Sequence, residues 1–510
     1  MLQRNTTQSK KGIIELISAV FEYKNKLYIG RNNGLIYYIK KDIQFFKKIT
    51  TNSLNIDSKL NKNIILMGRK TFESMSNKTL QNRINLILTE NKKLIKETEK
   101  IRIRNIEENT QLYKYIDMTY LEKVYEKYNP KIFIIGGGFI YNMFLNLPEH
   151  LKHLQPSKVY LTQIKSSENI KIDESFTSMD HLSQEYKLIG YSNLEKQNNL
   201  SYRTLYYKYV LNHKTEENLF IDLAKDIIKN GKDRIDRTNT GTISKFATQL
   251  KFDISNETIP LLTTKRVPLK SIIEELLFFC KGDTDTTILE KKGVNIWSGN
   301  TSRSFLDNRG LNNYPDGNMG PMYGHMFRNF GGDYSTIGKS ILGTGIDQLV
   351  KVENLLKTDP FNRRIYITNL NPKDTDKMCL ESCHTYIQFY VTEDTSTNKK
   401  YLSSYFTMRS SDYFLAAISF NLISYNILTR ILALRCGMEA KEIVYNAVDC
   451  HIYKNHTEQI HKQISRNPRP FPKLKLSNDL KYKDWSDMDY KDFELIGYFP
   501  HPSIKAPMAI

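Results

Sequence analysis

Residues 131–144, KIFIIGGGFIYNMF, pass from a block of β-branched and aromatic residues through three glycines into an apolar stretch of helical spacing. The first block has the length and composition of a buried strand. The glycines let the chain turn sharply, presenting backbone N–H groups at the start of a helix. Residues 63–71, NIILMGRKT, repeat the arrangement with one glycine and two cations. Neither is a G-x-G-x-x-G fingerprint, and one glycine-rich turn alone is weak evidence. On either side, ELISAVF (15–21), RINLILT (83–89), SKVYLTQI (157–164) and RTLYYKYV (203–210) read as strands. KKDIQFFKKIT (40–50) and GFIYNMFLNL (138–147) read as helices. Strands alternating with helices predict an α/β sheet with parallel pairs over residues 1–211.

The pattern breaks at NHKTEEN (212–218), read as a short linker, and an amphipathic helix is expected from Leu219. Residues 219–510 mix apolar helices (270–280, 414–433) with strands such as RRIYITNL (363–370) and YIQFYVT (386–392), an α+β pattern. The chain has 510 residues, 40% hydrophobic and 25% charged, which excludes a mostly disordered, collagen-like or disulfide-stapled protein. The longest uncharged apolar stretch, 414–429, is interrupted by Ser419, Asn421, Ser424 and Asn426 and ends at Arg430. It is therefore expected as a buried helix rather than a membrane span. The opening MLQRNTTQSKKG lacks an apolar signal core, so the cytoplasm is the default location.

The net charge of +19 is uneven, with +15 in residues 1–214 and +4 in residues 215–510. Lysine outnumbers arginine 54 to 20, scattered without a basic stripe. Compositional bias from an AT-rich genome and a field for an anionic partner both fit, and no nucleic-acid partner is expected. All five cysteines, Cys280, Cys379, Cys383, Cys436 and Cys450, follow residue 279. The Cys379-x₃-Cys383 spacing lacks a second pair for zinc, so no metal is expected and reduced thiols are, one of them a candidate nucleophile.

Residues 29–50 hold one acid, Asp42, on a helix read as Ile39, Ile43, Phe46 and Ile49. Asp42 and Phe46 share a face, and such a carboxylate could grip a flat, amidine-like heterocycle, although taken alone it reads first as a surface acid among lysines. Ala19, the IGRN turn, Asp42, MGRKT (67–71), Arg83 of LQNR, the glycines 136–138 and Thr162 of YLT follow in order. Together they make residues 12–210 resemble dihydrofolate reductase. The resemblance implies that NADPH delivers hydride while Asp42, hydrogen-bonded to Thr162 and near Ala19, binds the pterin and promotes its protonation. Ile43 and Phe46 would flank the folate, and Arg83 would hold its glutamate carboxylate. Gly30, Gly68, Arg69, Lys70, Thr71, Gly136, Gly137, Gly138 and Tyr141 would bind the cofactor, with a cis Gly136–Gly137 bond. Leu35-Ile36-Tyr37 and Leu80-Gln81-Asn82-Arg83 depart from the family's Leu-Pro-Trp and Leu-Pro-Gly-Arg.

The second half contains RTNTGT (237–242), PLLTTKR (260–266), EELLFFCKGDTD (274–285), IWSGN (296–300) and GNMGPMYG (317–324). It continues with DPFNRRIYI (359–367), SCHTYIQFYV (382–391), MRSSD (408–412), VDCHIYKNH (448–456) and NPRPFPKLKL (467–476). This ordered set resembles thymidylate synthase over residues 219–510. Carbon 6 of uracil is a soft Michaelis acceptor that needs a thiolate, and Cys383 is the candidate, with Arg409 beside it. The resemblance assigns Arg237, Arg363, Arg364, Arg409 and Ser410 to the dUMP phosphate, the Arg363–Arg364 pair reaching across from a second copy of a homodimer. It assigns His384 and Asn421 to the nucleotide, His451 and Tyr453 to the sugar, and Asp412 to both nucleotide and folate. Trp297 and Asn300 go to the folate, Glu275 to proton relay and Tyr323 to proton removal at carbon 5. Departures are Glu381-Ser382 for Pro-Pro, Gly317-Asn318-Met319-Gly320 for Gly-Asp-Leu-Gly, and Val448 for Gly. The stretch YFLAAISF between Asp412 and Asn421 is one residue longer than the family's loop and lacks its Gly-x-Pro. The fusion implies a thymidylate cycle: methylenetetrahydrofolate methylates dUMP, and the dihydrofolate formed is reduced again. A reductase half decayed into a scaffold, and a deoxycytidylate hydroxymethylase differing at Asn421, are the other readings.

Overall fold

The computed structural model describes residues 12–52, 55–75, 79–168, 170–235, 240–335 and 337–507. The chain forms two compact units, Met1–His213 and Lys214–Ile510. The first helix of the second unit, Glu217–Asn230, starts inside the segment read as a linker. Glu217 is fully buried there, accepting from the backbone N–H groups of Thr263 and Thr264 and from both hydroxyls, at 2.6–2.9 Å. Four donors hold the carboxyl in the interior without a cation.

The first unit is a twisted sheet whose central strands follow the β-branched blocks of the sequence. Across it lie Glu195–Gln197, Leu200–Tyr209, Lys158–Ser166, Ile13–Tyr23, Lys131–Gly136, Ile64–Gly68, Ile84–Leu88 and Lys114–Ile116. From Lys158–Ser166 to Lys114–Ile116 the neighbours are parallel, while Leu200–Tyr209 runs antiparallel beside Lys158–Ser166. Met67 pairs with Gly136, so the two glycine turns open side by side at the carboxyl ends of neighbouring strands. In open α/β sheets that edge is where ligands bind. The turns need glycine for packing: a Cβ at Gly136 would sit 2.5 Å from Thr71 Cγ2, and one at Gly138 2.4 Å from the Ser178 carbonyl. Gly137 has φ +91°, and no peptide bond among the described residues is cis, contrary to the cis Gly136–Gly137 bond that the resemblance implies.

The second unit is built on a sheet ordered Lys232–Arg234, Thr242–Asp253, Glu439–Tyr453, Lys399–Asp412, His384–Asp394 and Tyr366–Thr368. One face packs on the helices Leu269–Lys281 and Leu422–Arg435, which carry much of the core. The other leaves Phe246, Tyr390 and Val448 exposed. The stretch Tyr413–Arg435 is long and apolar enough to cross a membrane, yet most of it is buried inside this unit. It does not stop at Arg430, whose guanidinium is buried against the Ile254 and Thr258 carbonyls and Asn426 Oδ1. Its first nine residues, Tyr413–Asn421, form a π-helix.

Candidate active sites

In the first unit Ala19, Thr162 and Thr204 lie opposite one another on adjacent strands. Thr162 Oγ1 donates to Asp42 Oδ1 at 2.6 Å and lies 3.3 Å from Thr204 Oγ1. Burial raises the Asp42 carboxyl above the ordinary carboxylate range, and the Thr162 hydrogen bond opposes part of that rise. Further along the helix Lys40–Asn52, the Arg83 guanidinium lies over the Phe46 ring at 5.9 Å and donates to Thr50 Oγ1 at 2.8 Å. Arg83 Nε donates to the Gln81 carbonyl at 2.9 Å. The 42, 46, 50 spacing puts the acid, the ring and the threonine that accepts from Arg83 along one helix face. Both oxygens on Arg83 are neutral, although the side chain is 93% buried by its 7% exposure. Ile43 is half-buried beside Asp42.

The residues read as a cofactor cradle separate into two groups. Gly68 and Thr71 meet the glycines 136–138 at the paired turns, where Lys70 is exposed and Arg69 pairs with Glu73 at 2.6 Å. Gly30 lies close to the Gly34 carbonyl, 2.8 Å from where a Cβ would stand. Tyr141, in the helix that follows the glycines, is 3% exposed, and its hydroxyl donates to the Ile17 carbonyl at 2.8 Å. Tyr37, standing for a tryptophan, packs edge-on against Phe21, and its buried hydroxyl has no hydrogen-bond partner among the described residues.

In the second unit Cys383 immediately precedes the strand His384–Asp394 and is partly exposed. Its N–H donates to the Tyr323 hydroxyl at 2.9 Å, and the Tyr323 ring stacks on His384 at 3.9 Å and 1°. Arg409 donates through Nε to the Ser382 carbonyl at 2.9 Å and through Nη2 to the Glu381 carbonyl at 2.8 Å, bracing the backbone ahead of the thiol. Burial pushes Cys280 and Cys379 up to about 12, and Cys436 and Cys450 to about 11. These four are held as thiols.

Glu275 is buried on the helix Leu269–Lys281 and accepts from Trp297 Nε1 at 2.7 Å. Burial raises it to about 8, with the Trp297 hydrogen bond opposing. Burial likewise lowers His384 to about 3 and lifts the Tyr323 hydroxyl well above its usual value. His451 Nδ1 lies 3.3 Å from Asp449 Oδ1, and its ring meets Tyr453 edge-on. Hydrogen bonds from His451 and Ser244 hold Asp449 at about 2, aided by the Arg234 charge. Asn300, three residues after Trp297, is buried.

The added residue between Asp412 and Asn421 has a physical outcome in the π-helix. A π-helix closes its hydrogen bonds at i→i+5 and holds more residues per turn than an α-helix, so a segment with an added residue can still wind as a continuous helix. Asp412 Oδ1 caps the segment, accepting from the Phe414 and Leu415 N–H groups at 3.1 Å. The Phe414 carbonyl accepts from Lys265 Nζ, whose ammonium also lies 3.8 Å over the Phe414 ring. Burial pulls Lys265 down to about 7, with Asp412 opposing. Sequence reasoning gave no role to Lys265, although it lies in the PLLTTKR stretch, and missed Asn369 and Tyr425, which carry no motif-like spacing.

Of the expected phosphate arginines, the Arg363–Arg364 pair is not brought to Cys383. Arg237 lies outside the described residues. Arg363 and Arg364 are exposed ahead of the edge strand Tyr366–Thr368. Tyr366 pairs with Gln388, so Arg364 is level with Tyr390, about seven residues or roughly 20 Å along the strand from Cys383. Ser410 pairs with Asp449 two strands away from that edge. Among the described residues no group of three or more His, Cys, Asp and Glu is placed to hold a metal ion.

Comparison with known proteins gives the same division. The dihydrofolate reductase family profile matches residues 14–210, and the thymidylate synthase profile residues 218–510. The bifunctional dihydrofolate reductase-thymidylate synthase of Paramecium tetraurelia is 35% identical over 494 residues, covering 94% of this chain and 96% of that protein. The bifunctional dihydrofolate reductase-thymidylate synthase 2 of Arabidopsis thaliana is 34% identical over 507 residues, covering 94% and 86%. The thymidylate synthase of Saccharomyces cerevisiae is 46% identical over 299 residues, covering 58% of this chain and 97% of its own.

Proposed function

The chain belongs to the bifunctional dihydrofolate reductase–thymidylate synthase family, and we propose that its two units run one cycle through separate residues. One half methylates dUMP to dTMP; the other reduces dihydrofolate with NADPH. The relatives match along the whole chain, so neither a scaffold-only reductase half nor a hydroxymethylase is favoured.

In the synthase half the Cys383 thiolate adds to carbon 6 of the pyrimidine, and 5,10-methylenetetrahydrofolate is the carbon and hydride donor, leaving as dihydrofolate. Glu275, protonated at neutral pH by its burial, supplies and retrieves protons at the base, and Tyr323 assists removal of the carbon-5 proton. Arg409 and Ser410 take the phosphate, Asn421 the pyrimidine edge, and His451 with Tyr453 the sugar. Trp297, Asn300 and Asp412 face the folate. A homodimer through the exposed sheet face completes the phosphate site, because Arg363 and Arg364 lie too far along their own chain to serve its Cys383. The observation that carries this half is Cys383, partly exposed beside a neutral histidine and near a buried acid, while burial holds the other four cysteines as thiols.

In the reductase half Asp42 promotes protonation of the pterin, its carboxyl raised above the ordinary range by burial and oriented by Thr162. Arg83, a buried cation with neutral partners, suits the folate carboxylate. The paired turns at Gly68 and Gly136–Gly138 fit a dinucleotide: neighbouring helix starts with Arg69 and Lys70 beside them offer N–H groups and positive charge to phosphates. NADPH supplies the hydride when bound there. Cytoplasmic residence suits five reduced cysteines.

Measuring dTMP formation and NADPH oxidation separately tests the division. A 5-fluoro-dUMP adduct should map to Cys383 by mass spectrometry; an adduct at Cys379 or Cys450 would overturn the assignment.

A further inference from the structure

Asn369 follows the edge strand Tyr366–Thr368, is 1% exposed, and donates through Nδ2 to the His384 carbonyl at 3.0 Å. A carbonyl only accepts, so this contact decides which end of the amide is the NH₂. The same Nδ2 reaches the Tyr425 hydroxyl at 3.2 Å, spending its second hydrogen there. Tyr425, 2% exposed on the helix Leu422–Arg435, therefore accepts from Asn369, and its single proton is left for His384 Nδ1 at 2.5 Å. A ring nitrogen that accepts carries no hydrogen. Burial keeps His384 neutral at pH 7, so its one proton resides on Nε2. Stacking on Tyr323, at 3.9 Å and 1°, holds the ring plane, and Tyr323 is itself tied to the Cys383 N–H.

We propose that Asn369 and Tyr425 are positioning residues that hold His384 as its Nε2–H tautomer, making it a fixed hydrogen-bond donor next to Cys383 and biasing the site towards uracil over cytosine. Uracil presents carbonyl oxygens on both sides of N3. Cytosine replaces one with an amino donor, which a fixed N–H donor opposes, whereas a histidine free to exchange tautomers would accept from it. The tautomer stands on the protein's own hydrogen bonds; the base preference rests on the reading of dUMP as substrate.

The test uses the full chain labelled with ¹⁵N-histidine, with the His384 signals assigned through His384→Gln. The free protein should show a bare Nδ1 and a protonated Nε2. Tyr425→Phe removes the proton directed at Nδ1 and should mix the two tautomers, lowering kcat/KM for dUMP about tenfold and narrowing the preference over dCMP. Asn369→Ala should shift the tautomer in the same direction by less, because Tyr425 can still donate. A protonated Nδ1 in the unmodified protein would overturn the tautomer outright. Wild-type tautomer and wild-type preference in Tyr425→Phe would overturn the positioning role. Absence of dUMP turnover in the unmodified protein, with the tautomer as stated, would remove the base preference together with the synthase reading, and leave the histidine assignment standing.

Discussion

Asp42 and Glu275 are two carboxyls that burial raises above their usual range, each accepting from a neutral donor, Thr162 at 2.6 Å and Trp297 at 2.7 Å. Their surroundings differ. Asp42 stands among threonines and apolar side chains, with its cation, Arg83, two helical turns away. Glu275 belongs to a set in which Tyr323, Cys383, His384 and Tyr425 each restrain the next. The first site concentrates its acid–base chemistry in one group; the second distributes it. A single substitution in the reductase half should therefore remove one identifiable step. In the synthase half only loss of the nucleophile should be total, and the other losses should be strongly non-additive.

The sharpest way to break this contrast is to remove each centre and assay both reactions. Cys383→Ser should lower dTMP formation by at least about 10³-fold while NADPH oxidation with dihydrofolate is unchanged. Asp42→Asn should lower dihydrofolate reduction by about 10²-fold and leave methylation intact. A loss exceeding about threefold in the distant reaction for either variant would show that the two halves are not chemically separate.

The pH profiles should differ as well. Glu275 is protonated at pH 7 and ionises through about 8, so methylation should fall about tenfold per pH unit above that value. Glu275→Gln should be slow and lack this limb. Dihydrofolate reduction should instead follow a limb set by Asp42, above the usual carboxylate value of 3.8. If both reactions fall together above pH 8, a shared unfolding step is being read. The stability sign agrees: a carboxyl raised from 4.5 to about 8 favours the fold fully below 4.5, and that contribution is lost as pH rises to about 8.

The sequence was most legible where residue type and local geometry coincide. Blocks such as RINLILT become the strand Ile84–Leu88, and glycines mark both turns because a Cβ would collide there. The acid of the first site could be singled out because Asp42 is the only acid between Glu22 and Asp57. Glu217 was misread for the opposite reason: its polar neighbours hid four donors supplied by residues 46 and 47 positions away. Tyr425 and Asn369 look like ordinary helix and strand residues, and their partners are fixed only by the fold. The stretch YFLAAISFN cannot distinguish α from π winding by composition; only its extra residue hinted at it. Lys265→Met tests that segment. It removes the buried amino group from the Phe414 carbonyl, a hydrogen bond of about 1 kcal/mol that is only partly charge-assisted near pH 7, which should lower Tm by about 2–4 °C and raise KM for the folate severalfold. An unaltered folate KM would detach the π-helix from the folate site.

The smallest expected effect concerns Glu381, which stands where the synthase family has proline. Its carboxylate lies 3.8 Å from Arg409 Nη2, with the two side chains 47% and 37% exposed. Such an exposed pair contributes about 0–1 kcal/mol to stability. Its consequence is for the ligand, because a phosphate approaching Arg409 meets a negative charge already beside it. Water-screened repulsion between charges a few ångströms apart is about 1 kcal/mol. Glu381→Gln should therefore lower KM for dUMP by about two- to threefold, with kcat and the reductase KM unchanged. The backbone brace survives, because Arg409 holds the carbonyls of Glu381 and Ser382 rather than the acid. The gain should shrink as salt rises towards ~0.5 M, where the Debye length is only a few ångströms. An identical KM at low salt would mean that the carboxylate and the phosphate do not meet at Arg409, and that Glu381 fills the family's proline position without electrostatic consequence.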